Sequence, residues 1–462
     1  MSPVSLSQIA DAADGRLTGA DCLVVRYSTD TRTVARGDVY FCLRGENFDG
    51  HDFAQDAIDK GASAVVCEKD LQVDIPQLIV ADARRAFGRF AMLWREQFLK
   101  PVVGVTGSNG KTTVKQLLGS IFSHAGNAHC TRANDNNEIG VPQTLLGLSD
   151  EQDFAVVEMG ASDKGEIEYL GELVKPTVSV ITNAGAAHLE GFGDALSVAK
   201  EKAWIYRSLS TGGTAVINAD DSFFKYWSEV CADKKVITFG AAGDVKAYRE
   251  SDGSISVSYA GKSINCQYQL AGQHNVQNAA AASACAIAAD VSLDVIAKGL
   301  ASTESVAGRL NFISLSSGNT VIDDTYNANP ASTRAAIDVL SEFTGKRFMA
   351  LGDLLELGAD EIEQHKAIGV YARENKVDRL LTFGELSQHA ANEFGKGADW
   401  FPSKDVLAKK LSDELGKNCT VLVKGSRSMK MEQIVAALTI QSDITLPKAG
   451  PETSSEPEVC CQ

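Results

Sequence analysis

At 462 residues, 44% apolar and 23% charged, the chain reads as a globular protein too long for one ordinary core, so two or three domains are expected. Its 44 basic against 60 acidic residues leave a formal charge of −16, which argues against nucleic acid as a partner, since a polyanion needs a basic field. Ten cysteines lie singly from Cys22 to Cys419, with one adjacent pair, Cys460-Cys461, and no Cys-x-x-Cys pair, so zinc is not expected.

The amino terminus, MSPVSLSQIADAADG, lacks a basic-then-apolar leader, and no apolar run reaches membrane-spanning length. A cytosolic protein with reduced thiols and no membrane insertion is expected. Residues 1–99 hold short apolar runs (DVYFCLRG, ASAVVCEK, PQLIVAD) and one helical stretch, ARRAFGRFAMLWREQF. Lys100-Pro101 then breaks the helix and opens a new strand, which places a domain boundary there. Over 100–310 the runs PVVGVT, FAVVEMG, TVSVIT, TAVIN and KVITFG alternate with helical patterns. They are short and β-branched, like strands buried on both faces, and imply a parallel, doubly wound α/β sheet. The polar alternation from Tyr248 to Gln269 reads as a hairpin, and VQNAAAASACAIAAD as a helix. A second open α/β sheet occupies 311–447, where NTVID, RFMALG, RLLTFG and TVLVKG are each followed by a helical pattern. The tail, 448–462, is expected to be disordered.

The segment VVGVTGSNGKTTVKQLL, residues 102–118, carries the clearest chemistry. An apolar strand to Thr106 meets a helix with Val114, Leu117, Leu118 and Ile121 on one stripe. Between them Gly107 and Gly110 flank Ser108 and Asn109, giving two positions that tolerate unusual angles where a chain curls round an anion. The helix start, Lys111, Thr112 and Thr113, points free N–H groups and a positive dipole end at a phosphate. Lys111 would reach the β- and γ-phosphates of ATP, and the Thr112 hydroxyl would hold Mg²⁺. The common pattern has a glycine where Val105 stands, but Val105 lies at the strand end rather than in the curl. A Mg²⁺ beside a triphosphate wants a carboxylate, and Glu158 ends the apolar run FAVVE, where a charge is costly unless it meets a cation. His188, after the next strand, falls at the same sheet edge and is a second metal-ligand candidate, against the structural role more usual for a loop histidine.

In SVAKEKAWIYRSL, Val198, Lys202, Ile205 and Leu209 share a helical stripe, with Lys200 opposite beside Arg207. Lys202 sits among apolar neighbours that disfavour its charge. It either snorkels outward to water or stays neutral, and a neutral amine can react with CO₂ to give a carbamate, an anionic oxygen ligand for a second Mg²⁺.

Eight segments follow in one order: TGSNGKTT, RANDNNEIGVPQTLL, AAHLEGFG, HNVQNAAAA, AGRLN, DDTYNANPAS, LGDLLELG and KGSRSMKME, after an opening STDTRTVARGDVYFCLRGENFDGHDF. In these the chain resembles the Mur ligases, the ATP-dependent amide-forming family of peptidoglycan synthesis, and most of all its D-alanyl-D-alanine-adding branch. The resemblance spans nearly the whole chain, and TGSNGKTT matches the family's own variant loop. It implies a UDP-sugar-binding amino-terminal domain, a central ATPase domain and a Rossmann-like carboxyl-terminal ligase domain.

Site roles follow from the same resemblance. Lys111, His188 and Lys202 are catalytic; Thr112, Glu158 and His188 are magnesium ligands, with a carbamylated Lys202 completing a two-ion centre. Asn278 contacts adenine, with His274 and Asn275 nearby, and Arg309 and Asp324 contact nucleotide from the domain junction and the last domain. On pattern alone these three would read as a helix cap, a surface ion pair and a turn residue. Asn136 and Asn137 approach the acceptor peptide. Ser28, Asp30 and Arg32, with Arg44, Asp49 and His51 beyond, hold the uridine nucleotide. Lys424, Ser426 and Arg427 follow the last strand at a helix start, an anion-favouring position, and Asp353 meets the dipeptide amine.

The reaction so implied transfers the ATP γ-phosphoryl to the carboxylate of a UDP-N-acetylmuramoyl tripeptide, and the amine of D-alanyl-D-alanine attacks the acyl phosphate. The last domain is expected to close over the central one, in a monomer. A sister ligase adding another amino acid, a folate- or cyanophycin-type ligase and a nucleotide-driven switch are the alternatives. LGDLLELG and DDTYNANP favour the dipeptide-adding branch, and the uridine segment disfavours the folate type.

Overall fold

The computed structural model describes residues 1–45, 47–185 and 189–440. The expected carboxyl-terminal tail and His188 lie outside the described residues. The chain divides into two compact units, residues 1–304 with 356–358, and residues 305–355 with the chain from 359 onward.

The first unit holds two α/β layers. Its amino-terminal sheet runs Arg16–Thr18, Gln77–Ile79, Ala64–Cys67, Val39–Phe41, Tyr27–Ser28, parallel except for the first pair. The helix Ala83–Arg95 covers it, started by Asp82, whose carboxylate accepts from the Arg84 and Arg85 amides. Phe87 and Phe90 of this helix pack edge-on and stacked against Phe41 of the sheet. The far end of the helix is fastened to the next layer. There the buried Arg95 guanidinium donates to the carbonyls of Phe98, Val174 and Lys175 at 2.6, 2.9 and 3.1 Å, satisfying the carbonyl end of the helix Glu166–Val174.

The central sheet is wholly parallel, in the order Lys235–Phe239, Thr214–Asn218, Val178–Ile181, Val102–Thr106, Phe154–Glu158, Ala128–Cys130. Every strand expected for this region is in it; the short edge strand Ala128–Cys130 carries too little apolar pattern to stand out in sequence. Side chains of Val102–Thr106 alternate between two cores. Val103 and Val105 pack with the helices Lys111–Ser123 and Gln273–Ala288, and Val102 with Glu166–Val174. The chain leaves Val102–Thr106 toward one sheet edge and Val178–Ile181 toward the other, which opens a crevice at their carboxyl ends. An antiparallel meander, Lys246–Arg249, Ile255–Tyr259 and Lys262–Cys266, stands where a hairpin was expected, because Lys246–Arg249 pairs with its first arm.

The second unit is built on the order Asn311–Ser314, Thr320–Asp324, Cys419–Lys424, Lys346–Gly352, Arg379–Phe383, Ala398–Phe401, in which only Asn311–Ser314 runs antiparallel.

Candidate active site

Strand Val102–Thr106 ends in the curl 107–110, and Gly110 starts the helix Lys111–Ser123. Gly107 and Gly110 have φ of 153° and 83°. A Cβ on them would stand 1.8 Å from Thr182 Oγ1 and 2.4 Å from Asn278 Oδ1, so both positions require glycine. The curl is stitched to the segment after the neighbouring strand. Ser108 N–H donates to Asn183 O and Asn109 N–H to Asn183 Oδ1, both at 2.9 Å, and Thr182 Oγ1 donates to Asn109 O at 2.5 Å. Lys111 Nζ folds back over the curl and donates to Gly107 O at 2.6 Å. A cation is thereby held beside a helix start, where an anion is favoured. Thr113 follows in the same first turn.

Glu158, only 1% exposed, ends the adjacent strand. Thr112 Oγ1 donates to its Oε1 at 3.2 Å, Asn136 Nδ2 donates to the same oxygen at 2.8 Å, and Lys115 Nζ lies 3.0 Å from Oε2. Burial pushes the carboxyl up, but the charges of Lys115 and Lys111 and the Asn136 amide outweigh it and hold Glu158 below the usual carboxylate range. Among the described residues Oε2 meets only the Lys115 ammonium. A buried, ionised carboxylate with lone pairs to spare beside a hydroxyl is a hard-oxygen set that fits Mg²⁺. No three His, Cys, Asp or Glu cluster among the described residues, which leave out His188.

Lys202 ends the helix Ala195–Lys202 and is 2% exposed, whereas Lys200 is exposed. The snorkelling alternative therefore fails. Burial, reinforced by the Lys111 charge, lowers the Lys202 amine to about 7. Lys111 is thus felt by both Glu158 and Lys202, which puts the three in one neighbourhood with Thr112.

Asn278 lies inside the helix Gln273–Ala288, more than a turn past its Gly272 cap, so it is not a capping residue. Its Nδ2 donates to Asn275 Oδ1 at 3.0 Å, and its Oδ1 backs Gly110. Asn136 reaches Glu158, whereas Asn137 Oδ1 accepts from the Ile139 and Gly140 amides and opens the helix Gly140–Leu146.

The uridine candidates gather after the carboxyl ends of Tyr27–Ser28 and Val39–Phe41. Ser28 Oγ donates to Asp30 O at 2.8 Å. Arg32 donates to both Asp30 oxygens, and this grip brings the Asp30 carboxyl down to about 2. Arg44 pairs with Asp49 at 3.4 Å and Glu68 at 3.0 Å. His51 has both ring nitrogens engaged, Nδ1 with Asp49 Oδ1 at 2.5 Å and Nε2 accepting the Glu68 N–H at 2.8 Å, so it shapes the loop from within.

In the second unit Lys424 Nζ, buried, donates to Asp324 Oδ2 at 2.5 Å and Asn327 O at 3.0 Å. The Leu310 amide donates to Asp324 Oδ1 at 3.2 Å, and the Arg309 guanidinium lies 4.1 Å over the Tyr326 ring. Asp353 accepts from the Ser387 amide at 2.7 Å through Oδ1 and from the Ser426 amide at 3.0 Å through its carbonyl. The expected helix start after the last strand is a single 3₁₀ turn, Arg427–Met429, with the helix Glu432–Ile440 beginning later. These residues line the carboxyl ends of the parallel strands.

Two parts of the site went unread in the sequence. Lys115 shares a stripe edge with Leu118 and Phe122, the same signal that singled out Lys202. Thr182 and Asn183 stitch the curl from a loop whose composition gives no sign of it.

Comparison with known proteins bears on the whole chain. Residues 24–90, 105–286 and 308–427 match family models described as Mur ligase family, catalytic domain; Mur ligase middle domain; and Mur ligase, glutamate ligase domain. The UDP-N-acetylmuramoyl-tripeptide–D-alanyl-D-alanine ligase of Escherichia coli (strain K12) is 40% identical over 447 residues, covering 95% of this chain and 99% of the relative. Among solved structures, MurF from Acinetobacter baumannii matches with a TM-score of 0.90 at 35% identity, covering 95% of this chain and 99% of that one. MurF ligase from Thermotoga maritima in complex with ADP matches at 0.82 and 28% identity, covering 90% and 97%. With this likeness running from the amino-terminal sheet through the last, over three α/β layers, the chain belongs to the Mur ligase family.

Proposed function

We propose that this chain joins D-alanyl-D-alanine to UDP-N-acetylmuramoyl-tripeptide, converting ATP to ADP and phosphate. The observation that carries the reading is the glycine curl whose Thr112 hydroxyl meets a buried, ionised Glu158, in a chain matched over 95% of its length by a ligase of that name. A carboxylate is a poor acyl donor because oxide leaves badly. Moving the γ-phosphoryl of ATP onto a carboxylate oxygen gives ADP and an acyl phosphate. The dipeptide amine adds to the acyl carbon and loses a proton, and the tetrahedral intermediate expels phosphate as the amide forms. Positioning and charge neutralisation dominate such a transfer. The curl's backbone and Lys111 serve it by gripping the phosphates.

Thr112 and Glu158, with His188, would hold magnesium, which when bound offsets phosphate charge. The Lys202 amine, in its neutral form, would add to CO₂, forming an N–C bond as one C=O π bond opens and the nitrogen loses a proton, and the resulting carbamate would supply oxygen ligands for a second Mg²⁺. Asn278, backing Gly110, serves the adenine side, and Asn136 the acceptor side. Ser28, Asp30, Arg32, Arg44 and Asp49 anchor the uridine nucleotide over a loop shaped by His51. Arg309 from the domain junction, and Asp324, Asp353, Lys424 and Ser426 from the last domain, serve nucleotide and dipeptide, with boundaries near 99, 310 and 447. An acyl phosphate hydrolyses if wet, so the reading includes a closing movement before chemistry. The enzyme works as a cytoplasmic monomer; no helix among the described residues is long and apolar enough to cross a membrane.

ADP release with UDP-N-acetylmuramoyl-tripeptide and a panel of amino donors tests this. ADP formed in step with new amide, and only with the dipeptide, is expected. Equal use of a single amino acid would move the chain to a sister reaction, and ADP release without an acceptor would make it a nucleotide-driven switch.

A further inference from the structure

Lys115 stands one turn past Lys111 on the phosphate-loop helix and is 6% exposed. Its ammonium has two partners on different elements. Nζ lies 3.0 Å from Glu158 Oε2 and donates to the carbonyl of Ala133. Ala133, at φ 40°, opens the polar loop that carries Asn136. The same loop reaches back, since Asn136 Nδ2 donates to Glu158 Oε1 at 2.8 Å and Asn136 O accepts from the Gly160 amide at 2.8 Å. The Glu158 amide in turn donates to Thr131 Oγ1 at 3.0 Å. A loop, a strand end and a helix are thereby clasped around one carboxylate, with Lys115 the only cation in the clasp that touches both loop and carboxylate among the described residues. Packing does not call for a lysine here. An apolar side chain of similar length would fill the space without desolvating a charge.

We infer that Lys115 is a positioning residue for the ligase reaction: it turns Glu158 so that Oε1 faces Thr112, and it pins the 131–139 loop to the nucleotide-binding helix, so that binding of the acceptor substrate depends on it. This rests on the proposed reading of that loop as acceptor-facing and deepens it. Lys111 meets phosphate directly; Lys115 acts only through Glu158 and the loop.

The test compares wild type with Lys115→Met and with Lys115→Met/Glu158→Gln, which leaves no unpaired buried charge. Backbone hydrogen exchange over 131–139 is followed in ligand-free and ADP-bound protein, and steady-state kinetics are followed with the tripeptide nucleotide and ATP varied in turn. Lys115→Met should exchange faster in this loop than elsewhere, with KM for the tripeptide nucleotide raised about tenfold or more and KM for ATP moved by less than about threefold. The double variant should recover melting temperature relative to the single variant yet keep the fast-exchanging loop. Unchanged loop exchange, or a fall in melting temperature with both KM values unchanged, would reduce Lys115 to a packing residue and overturn the inference. If the single variant does not fold, the double variant decides by its loop exchange. A wild type that makes no ADP with tripeptide and dipeptide would sink the proposed reaction instead, while the exchange measurement, which needs no turnover, would still judge the clasp.

Discussion

A lysine amine buried in the protein is the most informative single group of the central unit. Lys202 is fully enclosed, and burial brings its amine to about 7 from an ordinary 10.5. The folded state therefore sheds a proton that the unfolded chain keeps between those two values, so stability rises with pH across that window and is lowest below it. In CO₂-free buffer the melting temperature of wild type should climb from pH 7 to pH 9 relative to Lys202→Met, by an amount on the order of 2 kcal/mol. Parallel curves would mean that water reaches the amine. A carbamate on Lys202, as proposed, would have its own signature. Lys202→Ala should lose nearly all ligase activity and regain part of it in millimolar short carboxylic acids, which can place oxygens where the carbamate would; full activity without rescue would refute the modification.

At the scale of elements, the glycine curl and its stitching make the strongest demand. Gly110→Ala must hold φ near 83° and push a methyl into the Asn278 amide. We expect ADP affinity, read by calorimetry, to fall at least about tenfold, with little change in the far-ultraviolet spectrum. Arg95 is the corresponding device between layers. Arg95→Met would strand the carbonyls of Phe98, Val174 and Lys175 and should lower stability by roughly 2–4 kcal/mol in a denaturant titration. What could be read from letters follows the same physics. The curl was legible because glycine spacing, an apolar strand and a helical stripe coincide within twenty residues, and Lys202 because a charge sat on an apolar stripe. Lys115 carried a weaker version of that signal, at the stripe's edge, and was missed. Ala128–Cys130 and the meander's first strand were hidden because edge strands need not be apolar on both faces. Asp49 and Asn137 entered as ligand contacts by resemblance, and their hydrogen bonds from nearby backbone amides, a second and local role, are revealed only by coordinates.

For the whole molecule, each sheet gathers its functional candidates at the carboxyl ends of parallel strands: the uridine turn, the glycine curl and the Asp324–Lys424 pair. Chemistry that joins three reactants while excluding water calls for compaction. Small-angle scattering should show a smaller radius of gyration with nucleotide and acceptor together than with either alone, and an unchanged radius would remove the closing movement. Within the first unit, by contrast, Arg95 and the Trp94 indole, which donates to Leu148 O at 2.9 Å, lock the first two sheets into one body. A lock of this kind works as a ruler. The reach from the Ser28–Arg32 turn to Thr112 is set by packing rather than by the ligand, so a muramoyl nucleotide one amino acid short should dock by its uridine end and leave its carboxylate stranded out of range.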